Sequence, residues 1–387
     1  MPYLNIYLEA HDKNLSEMIS RFAADLPSNV GKLEPGEGAP VLTSCGDLFV
    51  FYRKCLVQLS ELTTGQPMLE LAGLLKKYLR EYTSKVIMAG LPKIGNTVER
   101  SLQLPAAMTS ISSLKDLSGL SQATTGLLSN FSSLLKEGEV VRFSASDQVI
   151  ICSCLVTVEY CVDTTLKLEQ KMKQKVDTDI ADKISFSSEV ELLQGVTSNC
   201  VGLLVTELES SCDQSLAAMV KLNWAGVEQV GDQSQYVSGL VSAMRSMVPR
   251  LRDALQTSRK YFTQFCIKFA SNFIPKFISA LYKCKPVGTV GAEQLLLDTH
   301  SIKTVLLELP SIVDSGQVKL APNGRKAPQS FTKLVIKGIK IHCAMKEKSH
   351  SHEIMLLEVV MSHLEPRSST SDWCRTQTHP SWPSCSR

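Results

Sequence analysis

The chain has 387 residues, of which 44% are hydrophobic, 20% are charged and only 6% are aromatic. A formal net charge of +3 does not by itself indicate a nucleic-acid-binding protein. Residues 1–10 carry no basic stretch followed by an apolar run, so we expect no signal peptide. The apolar run from Val149 to Val162 is broken by polar residues and is shorter than the roughly 20 residues that cross a bilayer, so we expect a soluble, cytosolic chain.

Residues 1–92 contain three helical patterns. Apolar residues recur at every third or fourth position from Leu15 to Leu26, which predicts a helix capped by Asp12 or Asn14. A second helix is predicted from Ser44, with Asp47 completing a weak capping box. A third follows the Gly65–Pro67 turn. The short turn between the second and third helices predicts an antiparallel hairpin. The apolar side of the third helix consists of Leu71, Leu74, Leu75, Tyr78, Leu79 and Tyr82.

The middle of the chain begins with a Ser- and Gly-rich linker or insertion from Gly95 to Gly138. Ser144 and Asp147 then open a long helix, although its β-branched start leaves a strand as an alternative. Ser187 or Ser188 is predicted to cap the next helix. Asp213 is predicted to cap a shorter one that ends near Trp224.

Two proline-containing helices follow the Gly231–Asp232 turn, and Pro249 and Pro275 are each expected to kink or split the helix that contains them. The second has an aromatic stripe, which consists of Tyr261, Phe262, Phe265, Phe269, Phe273 and Phe277. One more helix ends at Pro310. The region from Lys333 to Ile341 fits either a helix or an edge strand.

The pattern predicts an all-α fold, an elongated stack of antiparallel helical bundles of about nine helices. We expect the following segments: the end of a preceding helical bundle (1–30), a helical hairpin (41–90), a linker or insertion of low hydrophobicity (91–140), C-terminal helical bundles (141–310), a loop or insertion (311–330), a terminal helix region (331–366) and a disordered tail (367–387).

The twelve cysteines do not follow metal or disulfide spacing. Most lie within amphipathic runs, so we expect reduced thiols in the core. No phosphate-binding loop, dinucleotide fingerprint, nucleophile elbow or metalloprotease motif occurs, which predicts a protein that is not an enzyme and that has no cofactor. The best metal candidates lie in a polar, lysine-containing segment and are more simply a solvated loop: His342, Cys343, His350, His352 and His363. His300, within a helix, has no nucleophile that the sequence pairs with it.

One segment is strongly basic. Between residues 245 and 285 nine basic residues face a single acid, Asp253, which gives a local charge of +8. Such a segment can contact acidic lipid headgroups, an acidic partner helix or nucleic acid, or can be a solvated face neutralised by its neighbours. The candidate interaction surface consists of Arg245, Arg250, Arg252, Arg259, Lys260, Lys268, Lys276, Lys283 and Lys285.

Several long strings resemble one family, that of the vacuolar protein sorting-associated proteins that form subunit fifty-three of the Golgi-associated retrograde protein complex. The strings are Met1–Ala10, Cys45–Tyr52, Arg259–Ala270, Phe273–Phe277, Gly291–His300 and Arg325–Pro328. The resemblance covers most of residues 1–366 and is to the C-terminal part of the family. Residues 95–128, 313–324 and 341–352 are read as insertions, and the sequence departs from the family after Pro366.

The resemblance implies a helical-rod subunit of a multisubunit tether (the GARP and EARP complexes). That tether captures endosome-derived vesicles at the trans-Golgi network and acts at recycling endosomes. It implies sister subunits as partners, with SNARE proteins, small GTPases and peripheral contact with membranes as further expectations, and no catalysis. The alternative from the residues alone is a helical protein that binds nucleic acid through the basic segment 245–285.

Overall fold

The computed structural model describes residues 2–25, 38–92, 143–312 and 328–344. In these ranges it contains ten α-helices and no β-strand. We label the helices α1 (Pro2–Ala24), α2 (Thr43–Ser60), α3 (Gln66–Tyr82, continued by a π-helical turn, Thr83–Met88), α4 (Ala145–Lys173), α5 (Thr178–Ala181), α6 (Ser187–Lys221), α7 (Gln235–Ala254), α8 (Arg259–Leu281), α9 (Thr289–Glu308, followed by a 3₁₀ turn, Leu309–Ser311) and α10 (Gln329–Ala344). The all-α prediction is confirmed.

Helices α1, α2 and α3 pack together at the N-terminal end. The Tyr7 hydroxyl donates to the Cys55 carbonyl and the Tyr78 hydroxyl donates to the Asp12 carbonyl, which ties α1 to both of its neighbours. The predicted apolar stripe of α3 is confirmed, since Leu71, Leu75 and Leu79 are all buried. The predicted hairpin of α2 and α3 is present, with a short turn between them.

Helix α6 is the central helix of the part of the chain that follows α3. It has 35 residues and is therefore about 50 Å long. It packs against α3, α4, α7 and α8. Lys276 of α8 pairs with Asp213, and Cys284, just beyond α8, contacts the Met219 carbonyl, so the two helices run parallel along this stretch. Helix α7 lies between them in the chain and returns antiparallel.

The two last helices cover the other side. Helix α9 packs on α7 and α10, and α10 packs on α8. One hydrophobic cluster runs through the described residues from Leu15 to Ile339, so the bundles share a continuous core. The predicted aromatic stripe of α8 lies within this core, and the rings of Phe262, Phe265, Phe269, Phe273 and Phe277 are stacked in succession with centroids 5.3–6.4 Å apart.

Several predicted helix starts are wrong. Helix α1 begins at Pro2, so Asp12 and Asn14 lie in its middle, because Tyr7 and Leu8 extend the packed face toward the N-terminus. Helix α2 follows Leu42 without a side-chain cap, and the Ser44 hydroxyl instead contacts the Tyr82 hydroxyl at 2.9 Å.

At the start of α6, Phe186 stands where Ser187 or Ser188 was expected to cap, and the Phe186 amide is bound by Glu169 of α4 at 2.8 Å. The capping box of Ser144 and Asp147 is confirmed. Caps are mispredicted where a tertiary contact replaces the local one.

Asp213 starts no separate helix and neither proline splits its helix, while the kinks expected as the alternative at Pro249 and Pro275 stay a prediction. Asp213 lies inside the uninterrupted helix α6 and pairs with Lys276, so no separate short helix begins there. Pro249 and Pro275 lie inside α7 and α8, and neither splits its helix. The strand alternatives at residues 149–162 and 333–341 are both wrong, because these stretches are α4 and α10.

Helix α4 is long and apolar enough to cross a membrane by length and composition alone. However, 56% of its apolar window is buried inside the structure, against α2, α6 and α7. Helix α4 therefore has the surroundings of a core helix in a bundle. The predicted linker 95–138, the tail 367–387 and most of the histidine-containing segment lie outside the described residues.

Candidate interaction surface

The basic segment forms the end of α7, all of α8 and the residues just after it. Helix α8 has 23 residues and is about 34 Å long, so Arg259 and Lys283 lie near opposite ends. The segment is therefore spread along the bundle rather than gathered in one compact patch. All nine side chains are exposed except that of Arg252, which is half-buried.

Three of the nine cations are bound to acids of the same chain. Lys260 lies 2.6 Å from Glu159 of α4, Lys276 pairs with Asp213 of α6, and Arg252 lies 3.0 Å from Asp253. Arg252 also donates to the Ile312 carbonyl at 2.8 Å, which holds the end of α7 against the segment that follows α9. The hydrogen bond to Glu159 raises the pKa of Lys260. These three residues contribute to packing between helices.

The remaining six cations make no ion pair with any residue that the structure describes. They are Arg245, Arg250, Arg259, Lys268, Lys283 and Lys285. Lys268 lies over α6, where its Nζ would be 3.6 Å from a Cβ added to Gly202. Of the basic segment, these six side chains are available to contact a molecule outside the chain. That they do so stays a prediction.

No group of three or more His, Cys, Asp or Glu side chains with metal-binding geometry occurs within 2–25, 38–92, 143–312 and 328–344. His300 is exposed on α9, and its carbonyl accepts a hydrogen bond from the Thr304 hydroxyl. His342 and Cys343 fall at the end of α10, but their side chains, like His350, His352 and His363, lie outside what is described.

The nine cysteines of the described part are all buried and free, as predicted. Burial raises the pKa of the Cys152 and Cys154 thiols to about 12 each, the neighbouring Cys154 adding to the rise at Cys152. Cys45 of α2 and Cys161 of α4 are in contact, with their sulfur atoms 3.1 Å apart. Such desolvated thiols are poor nucleophiles, so they fill the core rather than form a catalytic site.

The loop 222–234 between α6 and α7 is held by several hydrogen bonds. The Trp224 indole donates to the Met219 carbonyl, and Gln294 and Asp298 of α9 accept from the amides of Gly231 and Ser234, each at 2.9 Å. These bonds hold the loop against α6 and α9. The sequence analysis did not anticipate them, because the partners are about sixty positions apart.

The curated proteins that are similar to the chain include two named relatives. The first, from Caenorhabditis elegans, is named vacuolar protein sorting-associated protein 53 homolog and is 30% identical over 314 residues, 80% of this chain and 36% of that protein. The second, from Arabidopsis thaliana, is named vacuolar protein sorting-associated protein 53 A and is 28% identical over 311 residues, 80% of this chain and 33% of that protein.

The chain belongs to the vacuolar protein sorting-associated protein 53 family. The resemblance drawn from strings such as Cys45–Tyr52 and Gly291–His300 is thereby confirmed. The chain spans about a third of the length of these two members of the vacuolar protein sorting-associated protein 53 family. No family model matches the chain.

Proposed function

We propose that the chain is a subunit of a multisubunit vesicle-tethering complex that serves retrograde transport from endosomes to the trans-Golgi network and endocytic recycling. Its part is that of a helical scaffold, which holds other proteins together and carries out no reaction. The observation that carries the proposal is the similarity to two proteins named for vacuolar protein sorting, over 80% of the chain in each case.

The architecture supports a scaffold role. The helices share one continuous core, and α6 spans about 50 Å of it. Long packed helices keep distant surfaces at a fixed separation, which is what a tether requires of its rods. The cysteines of the described helices are buried thiols, and the charged side chains Glu159 and Asp213 form ion pairs across helix contacts.

The partners that we propose are the other subunits of the tethering complex, with SNARE proteins and small GTPases as further ones. The location is the cytosolic face of the trans-Golgi network and of recycling endosomes, with peripheral contact to the membrane. The six cations left unpaired in the described structure would make that contact with anionic headgroups, each contributing on the order of 1 kcal/mol. Nucleic acid is not among the partners.

The membrane contact has its own test. The double variant Arg259→Glu, Lys268→Glu should bind vesicles that contain phosphatidylserine more weakly than the native chain, while its circular dichroism is unchanged. Lys276→Gln removes one charge that is already neutralised by Asp213 and serves as a comparison. Unchanged vesicle binding by the double variant would contradict the proposal that the basic residues contact the membrane.

The function is tested by affinity capture of the tagged chain from cells, followed by mass spectrometry. We expect the other subunits of the tethering complex to be recovered in comparable amounts, and the tag alone to recover none. Recovery of ribonucleoproteins instead, together with binding to nucleic acid that weakens steeply with salt, would favour the nucleic-acid alternative. Recovery of neither would contradict the proposal.

A further inference from the structure

Helix α2 has a second face, opposite its buried stripe, that carries aliphatic side chains in solvent. Val50 is 55% exposed and Val57 is 42% exposed. They are seven residues apart, so they lie on the same side of the helix, two turns from each other. One turn before Val50 is Gly46, whose position has open space where a side chain would stand. This side of α2 is therefore a shallow surface with two aliphatic ridges.

Helix α4 lies alongside and runs parallel to α2. The Leu42 amide donates to the Thr157 hydroxyl, Cys45 contacts Cys161, and Lys175 donates to the Ser60 hydroxyl, which fixes the register over the whole length of α2. At one point of this contact, Tyr160 of α4 packs edge-on against Phe49 with ring centroids 6.2 Å apart. Tyr160 is 41% exposed and extends the apolar surface from α2 onto α4.

Most of the exposed charged residues of α2 and α4 near this surface are basic. Between Leu48 and Ser60, Arg53 and Lys54 are the charged residues of α2, and both are exposed and form no ion pair with a described residue. On α4, Lys167 and Lys171 follow Tyr160 at helical spacing and are exposed and unpaired in the same sense.

Two exposed acids lie close to this surface. Asp163 of α4 is exposed one turn after Tyr160, whereas Glu169 binds Lys173. Asp47 is exposed one turn before Val50, and Glu61 lies just beyond the end of α2. The surface is therefore apolar at Val50, Val57 and Tyr160, and its four cations outnumber Asp47 and Asp163, so its net charge is positive.

We propose that this surface, the α2 face (Gly46, Val50, Arg53, Lys54, Val57 and Tyr160), docks an amphipathic helix of a partner protein whose aliphatic stripe is flanked by acidic residues. A helix that packs along α2 would place one aliphatic side chain over Gly46 and another between Val50 and Val57, in knobs-into-holes packing. Its acidic flanks would meet Arg53 and Lys54 on one turn and Lys167 and Lys171 on α4. The inference goes beyond the sorting role and does not depend on it.

The test uses the full chain and a synthetic, fluorescently labelled helix of about three heptads, with Leu at the a and d positions and Glu at e and g. Fluorescence anisotropy measures its binding. We expect binding that weakens with salt, and a loss of about tenfold or more in affinity for Val50→Glu, Val57→Glu and for Arg53→Glu, Lys54→Glu. The control Lys333→Glu, Lys337→Glu makes the same charge change as Arg53→Glu, Lys54→Glu, but at exposed positions of α10. It should leave the affinity for the peptide unchanged.

A second peptide, with Lys in place of Glu at e and g, should bind at least about tenfold more weakly. Equal binding of the two peptides, no binding of the acidic one, or equal losses for the α10 control would overturn the proposal. So would sedimentation data showing that Val50→Glu, Val57→Glu dissociates a dimer of the native chain, since the occupant would then be a second copy. Circular dichroism of each variant confirms that the helices are retained.

Discussion

Arg80 and Glu189 form an ion pair across the contact between α3 and α6. The Glu189 side chain is 1% exposed, whereas that of Arg80 is 35% exposed. A guanidinium at the surface therefore neutralises a carboxylate in the interior. The pair joins the N-terminal hairpin to the central helix, and so it stabilises the connection between these two parts of the fold.

Replacing Arg80 with Met should destabilise the chain by about 3 kcal/mol, because it leaves the Glu189 carboxylate buried without a counter-charge. This value is at the low end of the range for breaking a buried ion pair, because Arg80 is partly exposed. Adding Glu189→Leu should restore most of the loss, since breaking such a pair costs more than replacing it with apolar residues. Urea unfolding of both single variants and the double variant measures this coupling. Additive losses would show that the two side chains do not interact.

Gly291→Ala should be strongly destabilising. A Cβ at Gly291 would lie 2.0 Å from the Trp224 carbonyl oxygen, so the start of α9 must move away from the loop that it holds. We expect a loss of about 2–3 kcal/mol in the free energy of unfolding.

The matched control is Gly195→Ala in α6, where a Cβ meets nothing within 4 Å. There the change should be neutral or stabilising by up to about 1 kcal/mol, because alanine favours the helix. Thermal unfolding followed by circular dichroism compares the two variants, and equal effects at the two glycines would refute the close packing of α9 on Trp224.

Stability should decrease as the pH falls below about 6.5, in part because of His11. His11 lies between Tyr7 and Phe51 where α1 meets α2, and burial lowers its pKa from the ordinary value of 6.5. The folded chain therefore favours the neutral ring, while the unfolded chain takes up a proton as soon as the pH drops below the unfolded pKa. The stabilisation is complete above 6.5 and is lost toward lower pH.

Urea unfolding at a series of pH values measures this dependence. In His11→Gln the part of the slope just below pH 6.5 should be reduced relative to the native chain. Asp12 gives an internal comparison. Burial raises its pKa, but hydrogen bonds from Lys77 and Tyr78 lower it, and the net effect is a lowered pKa. The contribution of Asp12 to stability is therefore lost only at a more acidic pH than that of His11. An identical slope in His11→Gln would show that the ring is not desolvated.

The core thiols should resist alkylation in the native chain. At pH 8 a thiol with a pKa of about 12 is almost wholly protonated, and Cys152 and Cys154 are also shielded by packing. Iodoacetamide followed by peptide mass spectrometry should find both residues unmodified, and both modified after unfolding in urea. Rapid native modification would place them at an accessible surface instead.

The helices of the fold could be predicted from the sequence because their apolar stripes follow the helical period closely. The stripe from Leu71 to Tyr82 and the aromatic series of α8 are buried as predicted. Helix boundaries were less predictable. Asp213 has the residue type of a cap, yet it pairs with Lys276 in the middle of a helix, and no local pattern reports a contact sixty-three positions away.

The surfaces were harder to predict than the core. A count of basic residues identified the segment 245–285, but it could not tell that Lys260 and Lys276 are neutralised by α4 and α6, since that depends on which helices become neighbours. The α2 face was missed altogether. Its signal was available in hindsight, because Val50 and Val57 repeat at heptad spacing away from the main stripe of α2.

The most direct test of the scaffold role is a replacement experiment with the Caenorhabditis elegans relative. The chain is exchanged for the matching stretch, 36% of that protein, and the chimera is expressed in cells that lack the relative. Sorting of a recycled membrane cargo to the trans-Golgi network is then measured by fluorescence microscopy. The account predicts that the chimera restores delivery. A chimera that is folded and abundant but leaves the cargo in endosomes would contradict it.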